Sequence, residues 1–234
     1  MCVEPLKGSS QQAAQDREAS GARKGYADVR DDLKTGDLVL FSGSTFFSSV
    51  IKWAIGGKWS HVGVVVRSPQ LPERVLLWES TRLADLADVE TGRAASGVQL
   101  VFLSARLARY AGEFKLRQLD RPVTPEMEQA FAKRRSELSG RPYELEKLEL
   151  LEAAVDSWFR ALKEERLNSL FCSELVAEAY QAMGLLPEPP DGLPSCEYTP
   201  RDFARRSVKL LRGYRLGSIV EVGGRSSGIV AAAK

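Results

Sequence analysis

An α+β fold is predicted for this chain, on two changes of pattern along it. Apolar runs of strand length fill residues 36–119, bounded by Gly, Pro and Ser. From 124 onward the apolar spacing becomes that of helices. Strand-like and helix-like stretches are grouped rather than strictly alternating, which points to α+β rather than to repeated βαβ units. The bulk numbers suit such a domain. The chain has 234 residues, 44% hydrophobic and 27% charged, enough for one domain with a sizeable core.

Taken in order, residues 1–27 carry Gln, Ala, Ser, Gly and charge without periodicity and are predicted to be a flexible tail. Residues 223–234 read the same way, leaving 28–222 as the domain. GDLVLF (36–41) is predicted as the first strand. TFFSSVIKWAIGG (45–57) spaces its apolar residues as a short helix closed by glycine. HVGVVV (61–66) is apolar on both faces and is therefore a central strand. RVLLWES (74–80), GVQLVFL (97–103) and FKLRQL (114–119) follow as strands, the last alternating as a half-exposed strand should. TPEMEQAFAKRRSEL begins with a Thr cap and a Pro at the first helical position. A long helix over about 144–166 presents one apolar stripe, from Leu145 to Leu162. CSELVAEAYQAM (172–183) is a further helix that buries Leu175, Val176, Ala179, Tyr180 and Met183 and stops at Gly184. TPRDFARR opens a capped helical turn, and VKLLRGYRLGSIVEV (208–222) returns to strand.

Several functions are disfavoured by composition. A net charge of +2 is too small for a nucleic-acid binder, and KRR at 133–135 and RR at 205–206 are isolated. Three cysteines, Cys2, Cys172 and Cys196, are too few and too scattered for a disulfide framework. No apolar run resembles a secretory signal or reaches the roughly 18 residues of a membrane span. The expected location is therefore cytoplasmic. One histidine and no CxxC or HExxH make a metal site unexpected. No dinucleotide or phosphate-loop motif implies a cofactor. GRSSG (224–228) matches a nucleophile elbow in letters only, because no histidine follows it.

The single histidine, His61, stands at the mouth of a hydrophobic strand. Cys172 is the candidate nucleophile to pair with it. A cysteine at a helix start faces unpaired N–H groups and the helix dipole, which favour a thiolate. An adjacent imidazole would complete the activation. Plain packing is the competing reading, since cysteine is among the most buried residues. A third group follows from register. If 61–66 and 74–79 form a hairpin centred near Gln70, paired residue numbers sum to a constant and His61 lies opposite Glu79. Glu79 could then orient the ring. A slip of one residue would send it to the other face, and a strand-end Glu that simply meets water is the alternative.

The run GDLVLFSG…SSVIKWAIGGKWSHVGVVV, then LLWEST, FCSELVAEAYQAMGL and YTPRDFA, resembles the permuted members of the NlpC/P60 superfamily, the YiiX/YebB-like papain-fold cysteine hydrolases. The likeness spans about 34–206, with histidine before cysteine as in the permuted group. It implies a circularly permuted papain-like fold, an antiparallel sheet packed against helices. It implies Cys172 as nucleophile, His61 as base and Glu79 as orienting residue, with the Cys172 N–H in an oxyanion hole. Tyr143, Trp59, Ser60 and Trp53 are expected to line the substrate site. The implied activity is thiol hydrolysis of an amide through an acyl-enzyme, with a small-molecule, peptide or lipid acyl substrate. A lipid acyltransferase or thioesterase, and a non-catalytic binding module on the same scaffold, are the alternatives. The stretch before His61 also leaves peripheral membrane contact open, and oligomeric state is not legible.

Overall fold

The computed structural model describes residues 25–43, 59–110, 112–141, 171–205 and 208–222. The expected helices at 45–57 and 144–166, and the segments 1–24 and 223–234, lie outside the described residues.

The architecture is α+β, built on a six-stranded antiparallel sheet in the order β4-β3-β2-β1-β5-β6. The strands are β1 (Leu38–Gly43), β2 (His61–Arg67), β3 (Val75–Thr81), β4 (Gly97–Phe102), β5 (Gly112–Leu119) and β6 (Leu216–Glu221). The helices are α1 (Tyr26–Val29), α2 (Leu103–Arg109), α3 (Pro125–Leu138), α4 (171–182) and α5 (Pro200–Ala204).

The two apolar faces of the central strands are both covered, and this explains why β2 and β3 read as continuous hydrophobic runs. Leu38, Leu40, Val62, Val64 and Trp78 face α3 and α4, where Met127, Phe131, Leu175, Val176 and Tyr180 meet them. Trp78 and Phe131 lie edge to face, with centroids 5.3 Å apart. Val39, Phe41, Val65 and Leu77 face the other way, onto Tyr26, Val29, Leu103 and Leu107. Each such apolar side chain removed from water contributes about 1.5–3 kcal/mol. The five residues predicted as the buried stripe of α4 are all in the core. Gly184 closes that helix at φ +64, with the Leu185 N–H bonded to the Tyr180 carbonyl at 2.7 Å.

Caps read from the sequence are in place. The Thr124 side chain accepts from the Met127 N–H, with Pro125 opening α3. Thr199 and Asp202 form a reciprocal capping box at α5. Tyr26, inside the span read as tail, is buried in α1.

Three readings are corrected. β4 does not run on to residue 103, because Leu103 opens α2. β5 is not a simple half-exposed strand. Its register shifts between Arg117 and Leu119, and Arg117 is buried, donating to the carbonyls of Gly217, Phe203 and Arg205. The segment 208–222 is strand only from 216, because Arg212 and Gly213, at φ 53 and 71, turn the chain first.

Candidate functional site

The site is organised by β2 and β3. Their measured pairs, Val64 with Trp78 and Arg67 with Val75, sum to 142. The predicted sum of 140 was two residues off. The connection has the length assumed but is centred on Leu71 rather than Gln70, and Leu71 N–H meets Ser68 O while Arg74 N–H meets Leu71 O. In the measured register Gly63, not His61, falls level with Glu79, and His61 falls level with Thr81. A two-residue shift keeps side chains on the same face. Glu79 is therefore the diagonal neighbour of His61, and such diagonals are within reach of long side chains. Gly63 presents no side chain between them. A Cβ there would come within 2.8 Å of Leu77 Cδ1 and 3.1 Å of the Trp78 carbonyl.

Across this gap His61 Nε2 meets Glu79 Oε2 at 2.8 Å. Glu79 is a buried carboxylate, 1% exposed. Its other oxygen, Oε1, accepts from Arg106 Nε at 2.7 Å and from Gln99 Nε2 at 3.1 Å. Arg106, on α2, is also buried, and its Nη1 reaches both carboxylate oxygens of Asp85 at 3.0 and 3.2 Å. Burial acts to raise Glu79, but His61 first and Arg106 second outweigh it and hold the carboxyl below its usual range. An ionised carboxylate only accepts hydrogen bonds, so Nε2 of His61 carries the hydrogen. Nδ1 is the ring atom left for another partner.

Cys172 is the other group that acts on this ring, through its charge and a side-chain hydrogen bond. Burial would drive the imidazole towards neutrality. The Cys172 sulfur and then the Glu79 carboxylate outweigh it and push His61 from 6.5 up to about 10. Phe41 packs against the ring at 5.3 Å between centroids.

Cys172 is fully buried. Residue 171 is already helical and 170 lies outside the described residues, so the predicted place of Cys172 at the helix opening falls at that limit. What fixes it is visible. The next residue, Ser173, donates its hydroxyl to the Tyr198 carbonyl at 2.6 Å. Two turns on, Tyr180 donates to the Gly36 carbonyl at 2.7 Å, tying α4 to the turn before β1. The three predicted triad residues are thus brought into one chain of contacts, Cys172 to His61 to Glu79.

Of the other predicted site residues, Trp59 and Ser60 immediately precede β2. Trp59 is partly buried against the α3–α4 side of the core, with Lys115 Nζ 5.9 Å from its ring centroid. The Ser60 N–H bonds to the Phe41 carbonyl at 3.0 Å, which continues the β1–β2 ladder. Trp53 and Tyr143 lie outside the described residues. Cys196 is exposed, in the short turn Ser195–Glu197, which Ser195 ties to α4 through Glu178 at 2.6 Å.

Arg106 and Gln99 were missed by the sequence reading. Both left a signal. Arg106 stands with Leu103 and Leu107 on the inward stripe of LSARLAR, and Gln99 shares the face of Val101 on β4. A charged or amide group on an apolar face needs a buried partner, and Glu79 is that partner for both.

Among the described residues no group of three or more His, Cys, Asp or Glu side chains is arranged to hold a metal ion. Nor is any described helix long and apolar enough to cross a membrane. No family model matches the chain, and no curated protein does. One solved structure with some similarity is metalloprotein YiiX from Escherichia coli O157:H7, at 21% identity and a TM-score of 0.40. The match covers 63% of this chain and 64% of that one.

Proposed function

We propose that the protein is a cysteine hydrolase of the permuted papain-like type, with Cys172 as nucleophile, His61 as acid and base, and Glu79 as the orienting carboxylate. The observation that carries this reading is the contact chain from Cys172 through the only histidine to a buried, ionised glutamate. A structural cysteine needs no imidazole, and an imidazole with no task needs no buried carboxylate behind it.

The chemistry follows from the charges. Cys172 sulfur attacks an acyl carbonyl, forming a C–S bond as the carbonyl electrons move to oxygen. When that tetrahedral adduct collapses, the bond to the leaving nitrogen breaks and imidazolium His61 donates its proton to the departing amine. Neutral His61 then takes a proton from water, the hydroxide attacks the thioester, and the acid leaves with Cys172 sulfur released. Glu79 holds the ring by Nε2 throughout and balances the imidazolium charge. The side chain of His61 is 17% exposed while that of Glu79 is fully covered, so the ring is the nearer of the two to solvent. An ester or thioester substrate, or an acceptor other than water, would use the same steps.

The complete burial of Cys172 favours a second reading, a binding module on this scaffold that does not turn over. One experiment separates them. Iodoacetamide alkylation of Cys172 is followed from pH 5 to 9 by peptide mass spectrometry, with wild type beside His61→Ala. Fast reaction below pH 7 that disappears in His61→Ala supports the hydrolase. A thiol that is inert, or that reacts alike in both proteins, removes the support for catalysis.

A further inference from the structure

Behind the three proposed triad members lies a fourth charged group and a fifth. Read from the core outward, Cys172 touches His61, His61 touches Glu79, Glu79 touches Arg106, and Arg106 touches Asp85. The side chains of Glu79 and Arg106 are 0% and 3% exposed, whereas that of Asp85 is 32% exposed and stands at the rim. The groups come from separate elements: α4, β2, β3, α2 and the loop after β3. Arg109, also on α2, donates from Nη1 to the Asp85 backbone carbonyl and holds that loop against the helix.

Charge balance gives this row its meaning. Around Glu79 the described groups within hydrogen-bond reach are His61, Arg106 and the neutral Gln99. A carboxylate shared by two cations is compensated on both sides, and a buried arginine is tolerated only beside a carboxylate. With sulfur anionic and imidazole cationic, the four groups Cys172, His61, Glu79 and Arg106 sum to zero. Without the arginine they carry one excess negative charge around a fully covered carboxylate. An uncompensated charge in such a site is costly, and the arginine is the described group that offsets it.

We propose that Arg106 is a positioning residue of the site: held by Asp85, it fixes Glu79 on the His61 side and supplies the charge that lets sulfur and imidazole remain an ion pair. This rests on the hydrolase reading above. Arg106 acts only through Glu79 and touches neither the sulfur nor the ring.

The test uses the full chain as wild type, Arg106→Met and Arg106→Lys. Two properties are read: the alkylation rate of Cys172 against pH, and the NMR titration of the His61 Cε1–H, which is unambiguous in a protein with one histidine. A merely structural arginine would leave both pH profiles in place in any variant that folds. The expected result is a fall of about tenfold or more in alkylation at pH 6 for Arg106→Met, one pH unit or more in the profile. Arg106→Lys recovers part of the loss, since it restores charge but not the fork that spans Glu79 and Asp85. Unchanged profiles in Arg106→Met, with the wild-type reaction dependent on His61, overturn the role of Arg106 alone. A wild-type reaction independent of His61 overturns the triad, and this assignment with it. If Arg106→Met does not fold, Arg106→Lys decides: a profile below wild type supports the proposal, and one indistinguishable from wild type overturns it.

Discussion

Replacing Glu79 by Gln tests the electrostatics of the site most directly, because shape is nearly kept and one charge is removed. In the folded protein His61 stands at about 10 against an ordinary 6.5. At about 1.4 kcal/mol for each tenfold change, that gap corresponds to roughly 5 kcal/mol favouring the imidazolium. Cys172 supplies the larger share and Glu79 the next, both working against burial. A hydrogen bond to a charged group contributes about 1.5–3 kcal/mol. Losing the carboxylate should therefore lower the His61 titration by roughly one to two pH units, to about 8–9. The same substitution strips Arg106 of its buried partner and leaves it only the rim carboxylate of Asp85. Breaking one side of a buried ion pair costs about 3–5 kcal/mol. The double variant Glu79→Gln with Arg106→Met removes both charges and should unfold at higher urea than Glu79→Gln alone. The assays are the His61 Cε1–H titration and urea denaturation. A ring that still titrates near 10 in Glu79→Gln would refute the assignment of Glu79. Additive losses in the double variant would show that the Glu79–Arg106 pair is not coupled.

Other outcomes follow from the same geometry. Because His61 is raised above its ordinary 6.5, its contribution to stability is whole below pH 6.5 and is lost as pH climbs through about 10; stability curves for wild type and His61→Ala should converge across that window, and parallel curves would count against the ion pair. Glu79 is held low, so its contribution is present above the usual carboxylate range and fades as acid protonates it. Gly63→Ala forces a Cβ against Leu77 and the Trp78 carbonyl and should lose about 1–3 kcal/mol by overpacking, read as a lower urea midpoint; an unchanged midpoint would mean the strands yield without cost. Asp88 is buried and accepts from the N–H groups of Glu90, Thr91 and Leu100. Asp88→Ala leaves those donors without their carboxylate and should cost roughly 2–4 kcal/mol, with no change in the pH profile of Cys172 alkylation if the loop serves stability alone.

Much of the frame could be read from residue patterns, and the reasons differ from place to place. Strands β1, β2 and β3 announced themselves because both sheet faces are covered, so each carries an uncharged, mostly apolar run: Leu38–Phe41, Val62–Val66 and Val75–Trp78. The helix at 125–138 declared its start through Thr124 and Pro125. His61 and Cys172 stood out by scarcity and by the resemblance. Glu79 was reached by a register argument with the hairpin centred one residue too early, and the error did no harm because it shifted the pairing by an even number of residues. One residue either way would have removed Glu79 from the site. Helix α2 was hidden by its beginning, since Leu103 continues the apolar run of β4 without a break. Arg106 and Arg117 were hidden for a different reason: charged residues read as solvent-facing, and each is buried because a carboxylate or a set of carbonyls awaits it across the fold. No local pattern records a partner that lies 27 residues away, as Glu79 does from Arg106.

The placement of the two core clusters has a consequence for how the site comes apart. Cys172 arrives from the helical layer on one face of the sheet, whereas Arg106, and the Phe41 ring that packs on His61, belong to the layer on the other. The row of charges is thus stitched through the sheet like a thread through cloth, knotted on both sides. Lifting either layer cuts it, so no sub-globular opening that frees one helical layer leaves the row whole. Loss of His61-dependent thiol reactivity under denaturant should accordingly coincide with the first layer to detach, whichever that is, and the site doubles as a gauge of whether the two halves of the core melt together.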